Sequence, residues 1–284
     1  MVDVGGLRLA VHDEGPADGP PVLLLHGGGQ TRFAWGGTQH ELGGRGYRAI
    51  AVDLRGHGES DWAPDGDYSP GRIAGDLLRL MEWAGGRPAL VGASLGGLSA
   101  LVAVGENPDA ACSALVLVDV TPRVNLPGAR RVLAFMRSHP DGFDSFEEAA
   151  DAVAAYLPHR PRPGVTTGLR RNLRSDATGR LQWHWDPALV EFPDPDSPIP
   201  TDRLLAAARH VRVATLLVRG ALSDVVTEAT AGELQEVLPH VEYVTVSRAG
   251  HMVAGDQNDV FTGVVAGFLE RVVPVDPGAR LRWP

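Results

Sequence analysis

A single cysteine, Cys112, is all that this chain of 284 residues carries. That excludes a disulfide framework and any cysteine-based metal site, and its place in the apolar stretch Ala111 to Val120 reads as a buried, unreactive thiol. Positive charge is also scarce, with 26 Lys plus Arg against 35 Asp plus Glu and a net charge of -9. Without a basic stripe to offset that balance, no nucleic acid and no membrane is expected as partner. The basic side chains are essentially all arginine, and the arginine-rich stretch Arg160 to Arg174 reads as a solvated face. No apolar run approaches the roughly 20 residues that span a bilayer. The Met1-Val2-Asp3 start lacks the basic and apolar segments of a signal peptide, so a cytoplasmic location is the default expectation. Internal repeats and low-complexity tracts are absent too.

What remains is 44% apolar residues in a length that accommodates one large core, or a main domain with an insertion. Short, wholly apolar runs at Val22 to Leu25, Tyr47 to Val52, Ala89 to Val91 and Ala114 to Val118 read as buried strands. Leu7 to His12 reads as an earlier one. Helical patterns lie between them, at Ser69 to Glu82, with Pro70 as a suitable first residue, and at Leu95 to Val104. This alternation predicts an α/β fold with a mostly parallel, doubly wound sheet covered on both faces. The rhythm breaks after Asp119. Between Thr121 and about Pro200 no sheet strand is expected; Arg130 to Arg137 and Ser145 to Leu157 read as helices, and Trp183 to Pro200 as an irregular return. The expected organisation is therefore a core domain formed by 1–121 and 201–284, with 122–200 inserted as a helical lid. The rhythm resumes with strands Ala214 to Val218 and Val241 to Val246, and with helices Glu228 to Val237 and Asn258 to Val273.

Chemistry concentrates at the ends of the apolar strands. Ala89 to Val91 feeds Gly92-Ala93-Ser94-Leu95-Gly96, whose glycines permit a tight strand-to-helix turn that presents Ser94 as a nucleophile. A serine hydroxyl needs a base, and the base an orienting acid. His251 follows the strand ending at Val246, and Asp224 follows the one ending at Val218. Taken alone, Asp224 reads equally well as a first-turn acid of the next helix, and Asp119, at the end of the Ala114 strand, is a less favoured acid. The run His26-Gly27-Gly28-Gly29 supplies backbone for an oxyanion hole, with the Gly28 N–H and the Leu95 N–H as donors. Gln30-Thr31 stands where a phosphate loop needs Lys followed by Ser or Thr, which argues against nucleotide binding. His26 reads as a brace for this loop, and Asp53, Arg55 and His57 as a structural turn. His57, His184 and Asp186 show no metal spacing, so neither metal nor cofactor is expected. Gly29, Trp183, Trp185 and Met252 are assigned to the substrate pocket, although the two tryptophans fit equally well as packing for the insertion.

With Asp53-Leu54-Arg55-Gly56-His57-Gly58 added to these motifs, the chain resembles the α/β-hydrolase superfamily over nearly its whole length outside 122–200. Within it the sequence is similar to small lidded serine hydrolases, among them haloperoxidase-like esterases, carbon-carbon bond hydrolases and epoxide hydrolase-like sequences. The resemblance implies Ser94 as nucleophile, Asp224 as acid, His251 as base, and Gly28 and Leu95 as oxyanion donors. It implies cleavage of a carboxylic ester, lactone or thioester of a small to medium, mainly apolar molecule by a monomer or homodimer. Epoxide hydrolases and haloalkane dehalogenases use an aspartate nucleophile, so Ser94 speaks against both. Carbon-carbon hydrolysis, a lyase reaction, or a non-catalytic small-molecule receptor remain open on the same scaffold.

Overall fold

A computed structural model describes residues 1–164, 167–191, 200–253 and 258–276. In chain order, the first half forms β1 (Val2–Asp3), β2 (Arg8–Leu9), β3 (Val11–Glu14), β4 (Pro21–Leu25), a 3-10 turn (Arg32–Trp35), α1 (Gly36–Gly44), β5 (Arg48–Val52), α2 (Pro70–Ala84), β6 (Ala89–Ala93), α3 (Leu95–Glu106) and β7 (Ala114–Val118). Then come α4 (Leu126–Arg137), α5 (Phe146–Tyr156), α6 (Thr167–Arg171), β8 (Leu173–Ser175), β9 (Leu181–Trp183) and α7 (Ala188–Glu191). The last stretch holds α8 (Thr201–His210), β10 (Ala214–Gly220), α9 (Glu228–Val237), β11 (Val241–Val246) and a closing helix, Asn258–Val272.

Seven of these strands make the central sheet in the order β11-β10-β7-β6-β4-β5-β3. Only β3 runs antiparallel to its neighbour; the other pairs are parallel. The apolar runs are buried because both faces are covered. Strand side chains alternate between faces, so Leu23, Leu25, Ile50 and Val52 join one core cluster together with residues of α2, α3 and α9. Val22, Leu24, Ala49 and Ala51 join the other, with Trp35, Leu42 and the closing helix. The expected α/β-hydrolase architecture is present, and every parallel strand points its carboxyl end to the same edge.

Several local expectations differ. The early strand is split, because Ala10 leaves the ladder: its N–H donates to Ser60 Oγ (2.8 Å). β2 then pairs with β1, and β3 with β5. α1 carries no periodic apolar stripe and is bounded by glycine pairs, so its helix rests on tertiary packing around buried Thr38, Gln39 and Leu42. Between β7 and α8 the described chain adds nothing to the central sheet but does form a separate hairpin, β8 against β9. Its turn is built by Asp176, whose Oδ1 accepts from the Thr178 and Arg180 N–H groups (2.8 and 3.1 Å). In the return passage expected to be irregular, α7 forms and 192–199 lie outside the described residues.

α8 also escapes the sequence pattern, yet it seats against α3 so closely that a Cβ at Gly105 would lie 2.2 Å from the Ala207 carbonyl oxygen. Gly232, inside α9, has nothing within 4 Å of the corresponding position. Gly105→Ala is therefore expected to destabilise by about 2–3 kcal/mol through overpacking. Gly232→Ala is expected to stabilise by about 0.5–1 kcal/mol through helix propensity. Urea denaturation midpoints of the two variants check this pair, and equal shifts would contradict the packing argument.

Candidate active site

Ser94 sits between β6 and α3 with φ 45° and ψ -116°, a backbone conformation that L residues seldom adopt. The flanking glycines are demanded by contact. A Cβ at Gly92 would meet the Gly97 Cα at 2.6 Å, and one at Gly96 would meet the Leu25 carbonyl oxygen at 2.6 Å. β6 thus enters and α3 leaves through a turn that admits no side chain on either side of the serine. Leu95 is the first residue of α3, so its N–H has no intrahelical acceptor.

Asp119, directly after β7, is fully buried and also has a positive φ of 48°. Its carboxylate accepts three hydrogen bonds. Oδ1 takes the Gly220 N–H (2.9 Å); Oδ2 takes the Ser223 hydroxyl (2.5 Å) and the His251 Nδ1–H (2.7 Å). With Nδ1 so engaged, the His251 Nε2 is the nitrogen left to accept a proton.

This corrects the sequence expectation that Asp224 orients His251. The Asp224 carboxylate is instead 38% exposed and paired with Arg131 of α4 (2.8 Å). The turn after β10 explains the exchange. Ser223 Oγ points back to Asp119 while accepting from the Val225 and Val226 N–H groups (3.2 and 3.1 Å), which takes the inward position and turns Asp224 outward. The Asp224 carbonyl also accepts from Asn125 Nδ2 (2.7 Å), so this residue ties α4 to the sheet domain. The signal for Asp119 was present in the sequence as an acid abutting an apolar strand, but spacing alone does not tell which strand-end acid faces the histidine.

Three buried histidines hold the Gly27 to Gly29 loop. His26 donates from Nδ1 to the Gly27 carbonyl (2.8 Å) and accepts the Leu54 N–H at Nε2 (3.0 Å). His57 donates to the Arg55 carbonyl (2.9 Å) and accepts the Gly29 N–H (3.1 Å). His184, from the 122–200 segment, accepts the Gly58 N–H (2.8 Å) and faces the Gly29 carbonyl at 3.4 Å. Each ring uses one nitrogen as acceptor and so is neutral. Burial, reinforced by a neighbouring imidazole, lowers all three pKa values to about 3. The Gly27 N–H is taken by Gln30 Oε1 (3.0 Å), whereas the Gly28 N–H makes no hydrogen bond among the described residues.

Ser94, His251, Gly28 and Gly29 line one cavity of about 330 Å³. Its opposite wall is aromatic, with Phe135, Tyr156, Trp183 and Trp185, and Met252 completes it beside the histidine. Both readings of the tryptophans hold. Trp183 and Trp185 stack on each other at 4.9 Å, and Trp183 packs edge-on to Phe143 at 5.0 Å, while both face the cavity. Among the described residues no group of three or more His, Cys, Asp or Glu is arranged to hold a metal ion. No helix there is long and apolar enough to cross a membrane. A hydroxyl at a strained turn, a carboxylate-oriented imidazole and an apolar cavity are together the requirements of acyl transfer.

Known proteins share the sequence and fold of this chain. The model of the alpha/beta hydrolase family matches residues 22–264. Esterase Rv0045c of Mycobacterium tuberculosis is 34% identical over 88% of this chain and 83% of its own. A putative 2-succinyl-6-hydroxy-2,4-cyclohexadiene-1-carboxylate synthase of Bacillus subtilis is 28% identical over 94% of this chain and 96% of its own. The crystal structure of E-2-(acetamidomethylene)succinate hydrolase superposes with a TM-score of 0.82 at 25% identity, covering 95% of this chain and 97% of that one.

The neutral histidines give stability a defined pH dependence. Their native pKa values of about 3 lie below the ordinary 6.5, so between these limits the unfolded chain binds more protons. Stability is complete above pH 6.5 and falls on acidification, by up to about 1.4 kcal/mol per pH unit for each histidine. His184→Asn, whose amide oxygen can still accept the Gly58 N–H, is expected to flatten the decline between pH 6.5 and 4.5. Denaturant midpoints across that range test this, and a slope identical to the parent would contradict it.

Proposed function

This chain belongs to the alpha/beta hydrolase family, and we propose that it hydrolyses a carboxylic ester of a small to medium, mainly apolar molecule through an acyl-enzyme on Ser94. Lactones and thioesters fall within the same chemistry. The observation that carries the reading is the 2.7 Å bond from His251 to buried Asp119, beside the cavity that also holds Ser94. In this mechanism His251 Nε2 takes the Ser94 proton as Oγ attacks the carbonyl. Asp119 stabilises the imidazolium that forms. The Gly28 and Leu95 N–H groups, the first free of other hydrogen bonds among the described residues and the second at a helix N-terminus, receive the developing oxyanion. His251 then protonates the leaving group, and a water that it activates releases the acid.

The 122–200 segment serves as the lid in this proposal, supplying the aromatic wall that shields the acyl group. A serine in the nucleophile position supports an acyl rather than an alkyl intermediate, which sets this chain apart from aspartate-dependent epoxide hydrolases and dehalogenases. The putative synthase in Bacillus subtilis, named for a reaction other than ester hydrolysis, keeps a second reading on the same scaffold, carbon-carbon cleavage or a lyase reaction in the same cavity. Product analysis with esters and vinylogous diketones separates the two.

Asp119→Asn is expected to lower kcat for the best ester by roughly 10³- to 10⁴-fold, the scale of losing a triad acid. Asp224→Asn should change it by less than about threefold, in line with an exposed ion pair. Steady-state kinetics of the two variants decide the matter, and the reverse ranking would restore Asp224 as the acid. Labelling by a fluorophosphonate should be rapid in the parent and absent in Ser94→Ala. A parent protein that resists the label would favour a non-catalytic receptor.

A further inference from the structure

The arginine-rich stretch that reads as a solvated face in the sequence includes one residue placed for recognition. Arg171 ends α6, and its neighbours Gly168 and Asn172 both line the cavity that holds Ser94. Its guanidinium makes no hydrogen bond or ion pair among the described residues and lies over the Phe33 ring, 3.9 Å from the centroid. Phe33 lines the same cavity yet is 37% exposed, which places it on the rim. Arg171, itself exposed, therefore stands at the mouth.

The charges around this rim do not cancel. Arg32 lies 4.4 Å from the same ring centroid and is paired with Asp53 and Glu59. Arg174, over Trp62 at 5.4 Å and donating to the Gly58 carbonyl, also feels those two carboxylates. Arg32 and Arg174 offset them, and Arg171 has no carboxylate partner among the described residues. A guanidinium resting on an aromatic face keeps its fork of N–H donors for a planar or tetrahedral oxyanion. The chain as a whole has a net charge of -9, so this local positive charge stands against the field of the whole molecule.

We propose that Arg171 binds a carboxylate or phosphate on the leaving group of the substrate, so that the ester or thioester is apolar at its acyl end and anionic at the end left outside the cavity. The division follows from the environment. An aromatic cavity favours the apolar acyl chain, whereas an anion stays hydrated at the rim and there meets Arg171, a cation without a carboxylate partner among the described residues. The proposal rests on the ester-hydrolase reading above.

The test compares butyrate esters of 4-hydroxybenzoate and of 4-hydroxyacetophenone, which differ in charge but little in shape. Butyryl thioesters of phosphopantetheine and pantetheine form the phosphate arm and distinguish the two anions. The readout is the ratio of kcat/KM for the anionic over the neutral member of each pair. Arg171→Ala is expected to lower that ratio by about fivefold in at least one arm, the upper range for a solvent-exposed ion pair. Arg171→Lys should restore part of it, and raised salt should erode it in the parent but not in Arg171→Ala. Arg170→Ala, one residue away and over Phe146, should leave the ratio at the parent value. Binding of the same pairs to Ser94→Ala protein, followed by tryptophan fluorescence, repeats the comparison without turnover. A ratio unchanged by Arg171→Ala in both arms and in binding overturns the anion site while leaving the hydrolase reading intact. A parent that binds the anionic member preferentially through Arg171, but turns over neither, keeps the anion site and overturns the hydrolase reading.

Discussion

The buried carboxylate of Asp119 is the interaction on which the rest of the site depends. A charge removed from water at 0% exposure is tolerable only when its lone pairs are filled. Here the donors come from Gly220 and Ser223 after β10 and from His251 after β11. One anion thus gathers the ends of three adjacent strands, and its own place is fixed by the β7–β10 register, in which Asp119 donates its N–H to the Val218 carbonyl (2.7 Å). The position of His251 relative to the sheet is consequently set by electrostatics within the core rather than by the loop that carries it.

The opposite side of the cavity is held by the reverse strategy. Around Gly27 to Gly29 the polar groups that brace the loop are imidazoles kept neutral by burial, His26, His57 and His184. Neutral rings can donate at one nitrogen and accept at the other, so they satisfy both carbonyl and N–H groups of a glycine loop without placing a charge beside it. Ion pairs stand beside these rings, where Arg32 meets Asp53 and where Arg55 binds Asp76 through two bonds of 2.6 Å and ties the turn after β5 to α2.

Much of this was legible in the sequence because it depends on local rules. Wholly apolar runs announce strands covered on both faces, and Gly92 and Gly96 announce a turn that no side chain can enter. The placement of Ser94 and His251 at one edge followed from the strands that precede them. What the sequence concealed depends on which way a side chain turns after its strand. Asp224 and Asp119 both follow strands at the correct edge, but Ser223 claims the inward direction on one loop, and the positive φ of Asp119 aims its carboxylate inward on the other. α1 was hidden for a related reason, since its helix rests on tertiary packing around Thr38, Gln39 and Leu42 rather than on an apolar stripe, whereas the short α8 buries Leu204, Leu205 and Ala208 in the core.

Division of labour between the two parts of the chain follows from these constraints. Strand ends in a parallel sheet are held in register by neighbours on both sides, so groups that must keep sub-ångström relations, such as Asp119 with His251, belong there. The 122–200 segment contributes no strand to that sheet among its described residues. It meets the sheet domain through backbone hydrogen bonds from Asp186 to Gly56 and from Asn125 to Val225, through an apolar cluster that joins Tyr68 and Ala63 to Met136, Trp185 and Leu189, and through polar and ring contacts such as Arg131 with Asp224, His184 with Gly58 and Arg171 over Phe33. The cavity wall that this segment carries, aromatic inside and bordered by arginine at its rim, thus stands on short elements and loops, whereas Asp119 and His251 stand on the edge of the sheet.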